Sequence, residues 1–175
     1  RRLSSAASDV YKRQDVYEVP LKDHNYLITV DVARGLGNDY SAFIVFDITN
    51  FPYKAVAKYR NNEIKPMLFP SIIDDIGKAY NKAFILCEVN DIGDQVASIL
   101  NYDLEYDNLL MCSQRGRAGQ VVGAGFSGKR SQLGVRTTQA VKKLGCSNLK
   151  TLLEDDKILI ICLLYTSDAA DDSLR

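Results

Sequence analysis

Two short apolar runs, each closing on an acid, limit what this chain can become. Tyr26-Leu27-Ile28-Thr29-Val30 runs into Asp31, and Ala83-Phe84-Ile85-Leu86-Cys87 runs into Glu88. Apolar, partly β-branched runs of about four to eight residues read as buried strands. Each acid then sits where a strand meets its C-terminal loop. A carboxylate taken out of water without a partner is costly, and two at neighbouring strand ends repel each other. Bridging cations resolve that conflict, so the pair points to metal-dependent hydrolytic chemistry. The competing reading is that one or both acids merely cap a loop.

The surrounding pattern is α/β. After the glycine-rich turn Ala33–Asn38, Ser41–Asp47 and Lys54–Arg60 read as two further strands, spaced tightly enough for an antiparallel meander. Pro52 and Pro66 fall between elements, where a missing N–H does no harm. Pro70 to Tyr80 reads as a helix, with Ile72, Ile73, Ile76 and Tyr80 as its apolar stripe. It would carry the chain back so that Ala83–Cys87 lies parallel to the first strand. A second helix is expected from Gly93 to about Leu100, and a strand over Asn108–Cys112. The next 25 or so residues, rich in glycine, read as a loop. Thr137 to about Glu154 reads as a helix that puts Leu144, Leu149, Leu152 and Leu153 into the core, with Gly145 a possible break. Lys157–Ile161 starts a last strand. Three antiparallel strands followed by alternating helix and strand describe a mixed sheet flanked by helices, an order that fits a ribonuclease-H-like domain.

Not all of the 175 residues read as one protein. Residues 4–14 and 162–172 match the two translated strands of a single sequencing-library adaptor. The codons of Asp9–Gln14, complemented and read one frame along, yield Cys162-Leu-Leu-Tyr-Thr-Ser167. The expectation is therefore a domain over 15–161, with 1–14 and 162–175 set aside. Those 147 residues suffice for one real core. Cys87, Cys112 and Cys146 form no CxxC pair, which fits a reducing compartment better than a disulfide scaffold. No signal peptide or membrane-length apolar stretch is visible in the sequence, so no membrane partner is expected.

Charge is balanced overall but not locally. Cys112 to Lys150 holds eight Lys or Arg and no acid, a candidate phosphate-facing segment. Within it Arg115, Arg117, Lys129, Arg130 and Arg136 are the candidate DNA-backbone contacts, whereas Lys142 and Lys143 suit a solvated helix face. Gly123–Arg130 nearly spells a P-loop, but Arg130 stands where the hydroxyl that holds Mg²⁺ belongs. That counts against ATP binding there and leaves a basic loop able to approach a phosphate backbone, or an ordinary solvated loop.

Asp31 and Glu88 are the first candidates for metal ligands. Oxygen donors without histidine suit Mg²⁺ or Mn²⁺, and two such ions could activate water and stabilise a leaving oxygen. Asp39 is the third acid near this face, either a ligand or supporting group, or the acceptor of an Asx turn. Asp91 and Asp94 rank below it. His24 has no ligand companions and reads as a surface residue.

Taken in order, these residues resemble the C-terminal nuclease domain of the large terminase subunit of T4-like tailed bacteriophages. The resemblance is carried by Ile28-Thr-Val-Asp-Val-Ala-Arg-Gly-Leu-Gly-Asn-Asp-Tyr40, Leu86-Cys-Glu-Val-Asn90, Asp103-Leu-Glu-Tyr106, Gly134-Val-Arg-Thr-Thr138 and Gly145-Cys-Ser-Asn-Leu-Lys150. It implies a ribonuclease-H-like fold and a metal-dependent endonuclease that cuts concatemeric double-stranded viral DNA. Asp31 would match the first catalytic acid, Glu88 the second, and Asp39 a further acid near the site. The family's third catalytic aspartate would lie beyond the last strand, so the domain reads as truncated before its last catalytic element. Asp168, Asp171 and Asp172 do not replace it, because they lie in the adaptor-like stretch. The resemblance also implies an upstream ATP-using motor domain in the parent protein. It implies a portal protein and a small terminase subunit as partners, and work in the host cytoplasm at the procapsid portal. Another ribonuclease-H-like nuclease or a resolvase, or a catalytically silent DNA-binding or assembly module, are the alternatives.

Overall fold

The computed structural model describes residues 14–114, 119–124 and 131–160. The meander forms as expected, from strands β2 (Tyr26–Asp31), β3 (Ser41–Asp47) and β4 (Tyr53–Asn61). A strand the sequence does not announce, β1 (Gln14–Val16), pairs antiparallel with β4. Helix α1 (Phe69–Ala79) then crosses the sheet and delivers β5 (Phe84–Cys87) parallel to β2. Helix α2 (Gly93–Ser98) runs on into a π-helical turn over Ile99–Asp103. The main sheet has the order β1-β4-β3-β2-β5, and β9 (Ile158–Leu159) adds parallel to the start of β4. This is a mixed α/β sheet of the ribonuclease-H-like kind.

Alternation along the strands gives the sheet two unlike faces. Ile28, Val30, Phe43, Val45, Tyr59, Ile85 and Cys87 point into the core. Phe43 stacks on Tyr59 at 5.2 Å, and Phe69 of α1 lies against both rings. Offset aromatic packing of this kind adds to the stabilisation from burial alone. The other face carries Asp31, Ala42, Ile44, Arg60 and Glu88. It is less covered, with Ile44 and Phe84 exposed.

Three expectations need correcting. The glycine-rich segment is not a plain loop, since β7 (Val121–Ala124) and β8 (Ser131–Leu133) flank β6 (Leu110–Ser113) in a second, three-stranded sheet. Cross-strand pairing with β6 outweighs the low strand preference of Gly123. Gly123 and Ala124 thus belong to a strand and Ser131 opens another, while residues 125–130 of the P-loop-like stretch lie outside the described residues.

The second correction concerns α3 (Gln139–Glu154), which forms but buries none of its residues. Leu144, Leu149 and Leu153 are exposed rather than in the core, because the helix meets little besides β9 among the described residues. Thr138 caps the helix, its hydroxyl accepting from the Val141 N–H at 3.2 Å. Gly145 does not break it, as one exposed helical glycine costs only about 1 kcal/mol.

Third, His24 is only partly exposed and is not a bystander. Its Nδ1 lies 2.6 Å from Asp47 Oδ2, and the Thr49 N–H donates to Oδ1 at 2.9 Å. Burial alone would push the Asp47 carboxyl up, but the hydrogen bonds from His24 and Thr49 outweigh it and hold it below the usual range. A depressed carboxylate adds stability above its unfolded pKa and loses it as the pH falls through its folded pKa. Asp47→Asn should therefore cost about 1.5–3 kcal/mol at pH 7, the scale of hydrogen bonds to a charge. Chemical denaturation at stepped pH should show the gap to wild type closing below about pH 4, the unfolded carboxyl pKa.

Candidate metal centre at the ends of two parallel strands

The parallel pairing of β2 with β5 sets Val30 beside Cys87. One step further along that register Asp31 faces Glu88, whose N–H donates to the Val30 carbonyl at 2.9 Å. Adjacent strands lie about 4.8 Å apart, so the two carboxylates leave the sheet side by side on one face. The two carboxylates stand close enough for each to feel the other's charge. Burial pushes the Asp31 carboxyl above its ordinary range. The hydrogen bond and charge of Glu88 push the same way, the Val32 amide opposes them, and the charge of Asp39 adds to the rise. A shared proton or a cation relieves this arrangement.

Local structure explains why Glu88 stands where it does. Val135 bridges to it, with the Val135 N–H donating to Cys87 O at 2.8 Å and the Val89 N–H to Val135 O at 2.9 Å. Gly134, just before, has φ +72°, and any Cβ there would collide with the Cys87 carbonyl. Gly93 opens α2 directly over the Glu88 carbonyl, where a Cβ has no room either. Asn90 completes the clamp. Its side chain donates to Thr137 O at 3.0 Å and accepts from the Thr137 N–H at 3.1 Å. Sequence reasoning placed Asn90 at the end of the Leu86–Asn90 motif but gave it no role as a support, since its partner Thr137 lies far along the chain. It missed Ser41 too, whose buried hydroxyl accepts from Ala33 N–H at 3.0 Å and donates to Ala33 O at 3.2 Å, fixing the start of the glycine turn.

That turn walls a cleft of about 400 Å³ lined by Asp31, Asp39, Tyr40, Arg34 and Asp91 among others. Asp39 thus shares the cleft with Asp31, from an exposed position. Asp91 shares it as well but is engaged, because Arg34 grips it through two hydrogen bonds of 2.7 and 2.8 Å. Asp94 sits in the first turn of α2. Beneath the acids, burial and then the charges of Glu88 and Asp31 push the Cys87 thiol up to about 12, so it stays a neutral core group and no thiolate ligand.

Among the described residues no three His, Cys, Asp or Glu side chains form a metal-holding group. Asp31 and Glu88 therefore supply two hard oxygen donors, and their crowding suits a divalent cation of the Mg²⁺ class. Of the candidate DNA contacts, Arg136 is exposed one residue past Val135, at the Glu88 edge of the site. Arg115, Arg117, Lys129 and Arg130 lie outside the described residues. Lys142 and Lys143 are exposed on α3. No helix among the described residues is long and apolar enough to cross a membrane.

The sequence profile of the terminase RNaseH-like domain matches residues 28–162. In three dimensions the chain is similar to the large terminase nuclease of thermophilic phage G20c. With bound magnesium the TM-score is 0.62 at 20% identity, over 85% of this chain and 64% of that one. With bound cobalt the TM-score is 0.61 at 20% identity, over 85% and 63%. The large terminase nuclease domain of Thermus phage P74-26 aligns with a TM-score of 0.59 at 20% identity, over 85% of this chain and 62% of that one. The chain thus spans a little under two thirds of the length of these structures. At such identity the likeness establishes the fold.

Proposed function

The chain belongs to the terminase RNaseH-like domain family, and from that premise we propose that it is part of a metal-dependent endonuclease that cuts concatemeric double-stranded DNA during viral genome packaging. The observation that carries this reading is the pair Asp31–Glu88, two carboxylates turned toward each other at adjacent parallel strand ends. Structural likenesses whose crystals hold magnesium, cobalt or zinc support a divalent cation here. Mg²⁺ or Mn²⁺, as a pair of ions, is the form that fits oxygen donors and phosphodiester chemistry.

Asp31 and Glu88 would hold the metal, and Asp39 would adjust the charge of the cleft or complete the donor set. When bound, such an ion supplies Lewis acidity and a water of lowered pKa. The protein's own part is positional. The β2–β5 register fixes the two donors, and the Val135–Thr137 segment and Gly93 keep the Glu88 backbone from shifting. Arg136, together with Arg115, Arg117, Lys129 and Arg130, would meet the DNA backbone without reading its sequence. The domain is taken to cover 15–161, with its third catalytic acid and its ATP-using motor supplied elsewhere in the parent protein. In that parent a T4-like assignment, a portal and small-subunit partnership, and work at the procapsid in the host cytoplasm follow from the same reading.

The absence of a three-donor group among the described residues favours one second reading, a DNA-binding module silent in catalysis. Melting in EDTA and with Mg²⁺ or Mn²⁺ separates the two, alongside cleavage of supercoiled and linear plasmid by the full-length protein. At a hundredfold excess over its Kd, a bound ion should stabilise the fold by about 2.7 kcal/mol, several degrees in Tm. Metal-independent melting together with no cleavage would leave the silent module as the better account.

A further inference from the structure

We propose that Arg60, set over the ring of Tyr40, is a DNA-phosphate contact on the rim of the acid cleft and positions the bound strand relative to Asp31 and Glu88. The sheet register draws one row across the strands. Arg60 pairs with Ala42, Ala42 pairs with Asp31, and Asp31 faces Glu88. Laterally paired residues point to the same side of a sheet, and here that side is the one away from the core. Two strand spacings put the Arg60 backbone about 10 Å from that of Asp31.

Arg34 and Arg60 border the acids on the side of the glycine turn, and they differ in what they are free to do. Arg34 is spoken for, with Asp91 accepting from two of its N–H groups. Arg60 is exposed and makes no ion pair among the described residues. Its guanidinium carbon sits 3.6 Å from the centre of the Tyr40 ring. Tyr40 itself lines the cleft with Asp31 and Asp39. Stacking by the face holds the guanidinium in one plane and leaves its edge N–H donors unspent, which is the geometry that receives a phosphate through two hydrogen bonds.

The ligand class follows from charge. A polyanion brought to a cleft of three carboxylates meets repulsion that an unpaired cation at the rim offsets. A phosphodiester a short way along the strand from the one at the acids is the group within Arg60's reach. Arg60 therefore acts as a positioning residue for the substrate strand. This placement rests on the reading of Asp31 and Glu88 as the cutting site; the phosphate contact itself does not.

The test is titration of a duplex oligonucleotide in EDTA over a series of KCl concentrations. Arg60→Ala should weaken binding by roughly three- to tenfold at low salt and lower the slope of log K against log[salt] by about one, the signature of one lost phosphate. Arg60→Gln, close in length and neutral, should do the same, and serves alone if the alanine variant melts early. Arg60→Lys should keep the slope, and Tyr40→Leu should weaken binding while keeping it. Wild-type affinity and slope in both neutral variants would overturn the proposal. The acid site is scored separately, by the rise in melting temperature with Mg²⁺ and its loss in Asp31→Asn. No such rise beside a lowered Arg60 slope removes the cutting site and leaves the phosphate contact standing. A metal-dependent rise beside an unchanged slope removes the contact alone.

Discussion

Asp31→Asn should lower metal-dependent DNA cleavage by the full-length protein at least about 10²-fold, the scale on which a lost charged group at a reaction centre is felt, and should stabilise the metal-free fold at the same time. The opposite signs come from one cause. In the absence of a cation the Asp31 and Glu88 carboxylates crowd each other, and part of their hydration is gone. An amide at position 31 keeps the volume and can donate to Glu88, so the repulsion ends and the strand pair relaxes. With Mg²⁺ present the same change removes one of the two donors. Calorimetry in EDTA and in Mg²⁺, beside a plasmid-nicking assay, reads both effects. A variant that melts lower in EDTA and cleaves poorly would make Asp31 a structural residue. One that cleaves at the wild-type rate would remove it from the site.

Gly134→Ala should cost roughly 2–4 kcal/mol, a large effect for one methyl group. The φ of +72° at this position alone costs a residue with a side chain about 1–2 kcal/mol. The remainder comes from the collision of the new Cβ with the Cys87 carbonyl, which is itself hydrogen-bonded to the Val135 N–H. Either Cys87 moves or the Val135 segment lifts, and Glu88 is displaced in both cases. Urea unfolding should show the midpoint falling with the slope unchanged. Cleavage should fall by more than the unfolded fraction accounts for. A stable variant with intact cleavage would show that the Val135 segment does not hold Glu88 in place.

How much of this was legible in the residues depended on whether local pattern and tertiary partner agreed. Strands β2 to β5 were readable because alternation and short apolar runs matched a sheet that packs one face in the core. Asp31 and Glu88 stood out since each ends such a run. The leucines of α3 misled for the opposite reason. Helical spacing identifies an apolar stripe but says nothing about whether a neighbour is there to receive it, and Leu144, Leu149 and Leu153 stay exposed on a helix that meets little besides β9 among the described residues. β7 and β8 were hidden because such short stretches become strands only through β6. His24 and Asp47 are far apart in sequence and near in space, a pairing no single-chain pattern records. Asn90 and Arg60 belong to the same class. Their roles are defined by Thr137 and Tyr40, which only the folded chain brings to them.

The parallel join of β2 to β5 has a consequence for timing. Asp31 leaves the ribosome more than fifty residues ahead of Glu88, and the antiparallel strands between them can assemble by local turns as they emerge. Parallel pairing has to wait for the α1 crossover, and such distant contacts form late. The two halves of the centre therefore meet only once β5 has followed the α1 crossover, while β6 to β9 are still to come. A copy in which that crossover has not formed holds one acid without the other beside it, so the pair exists only as a product of tertiary folding.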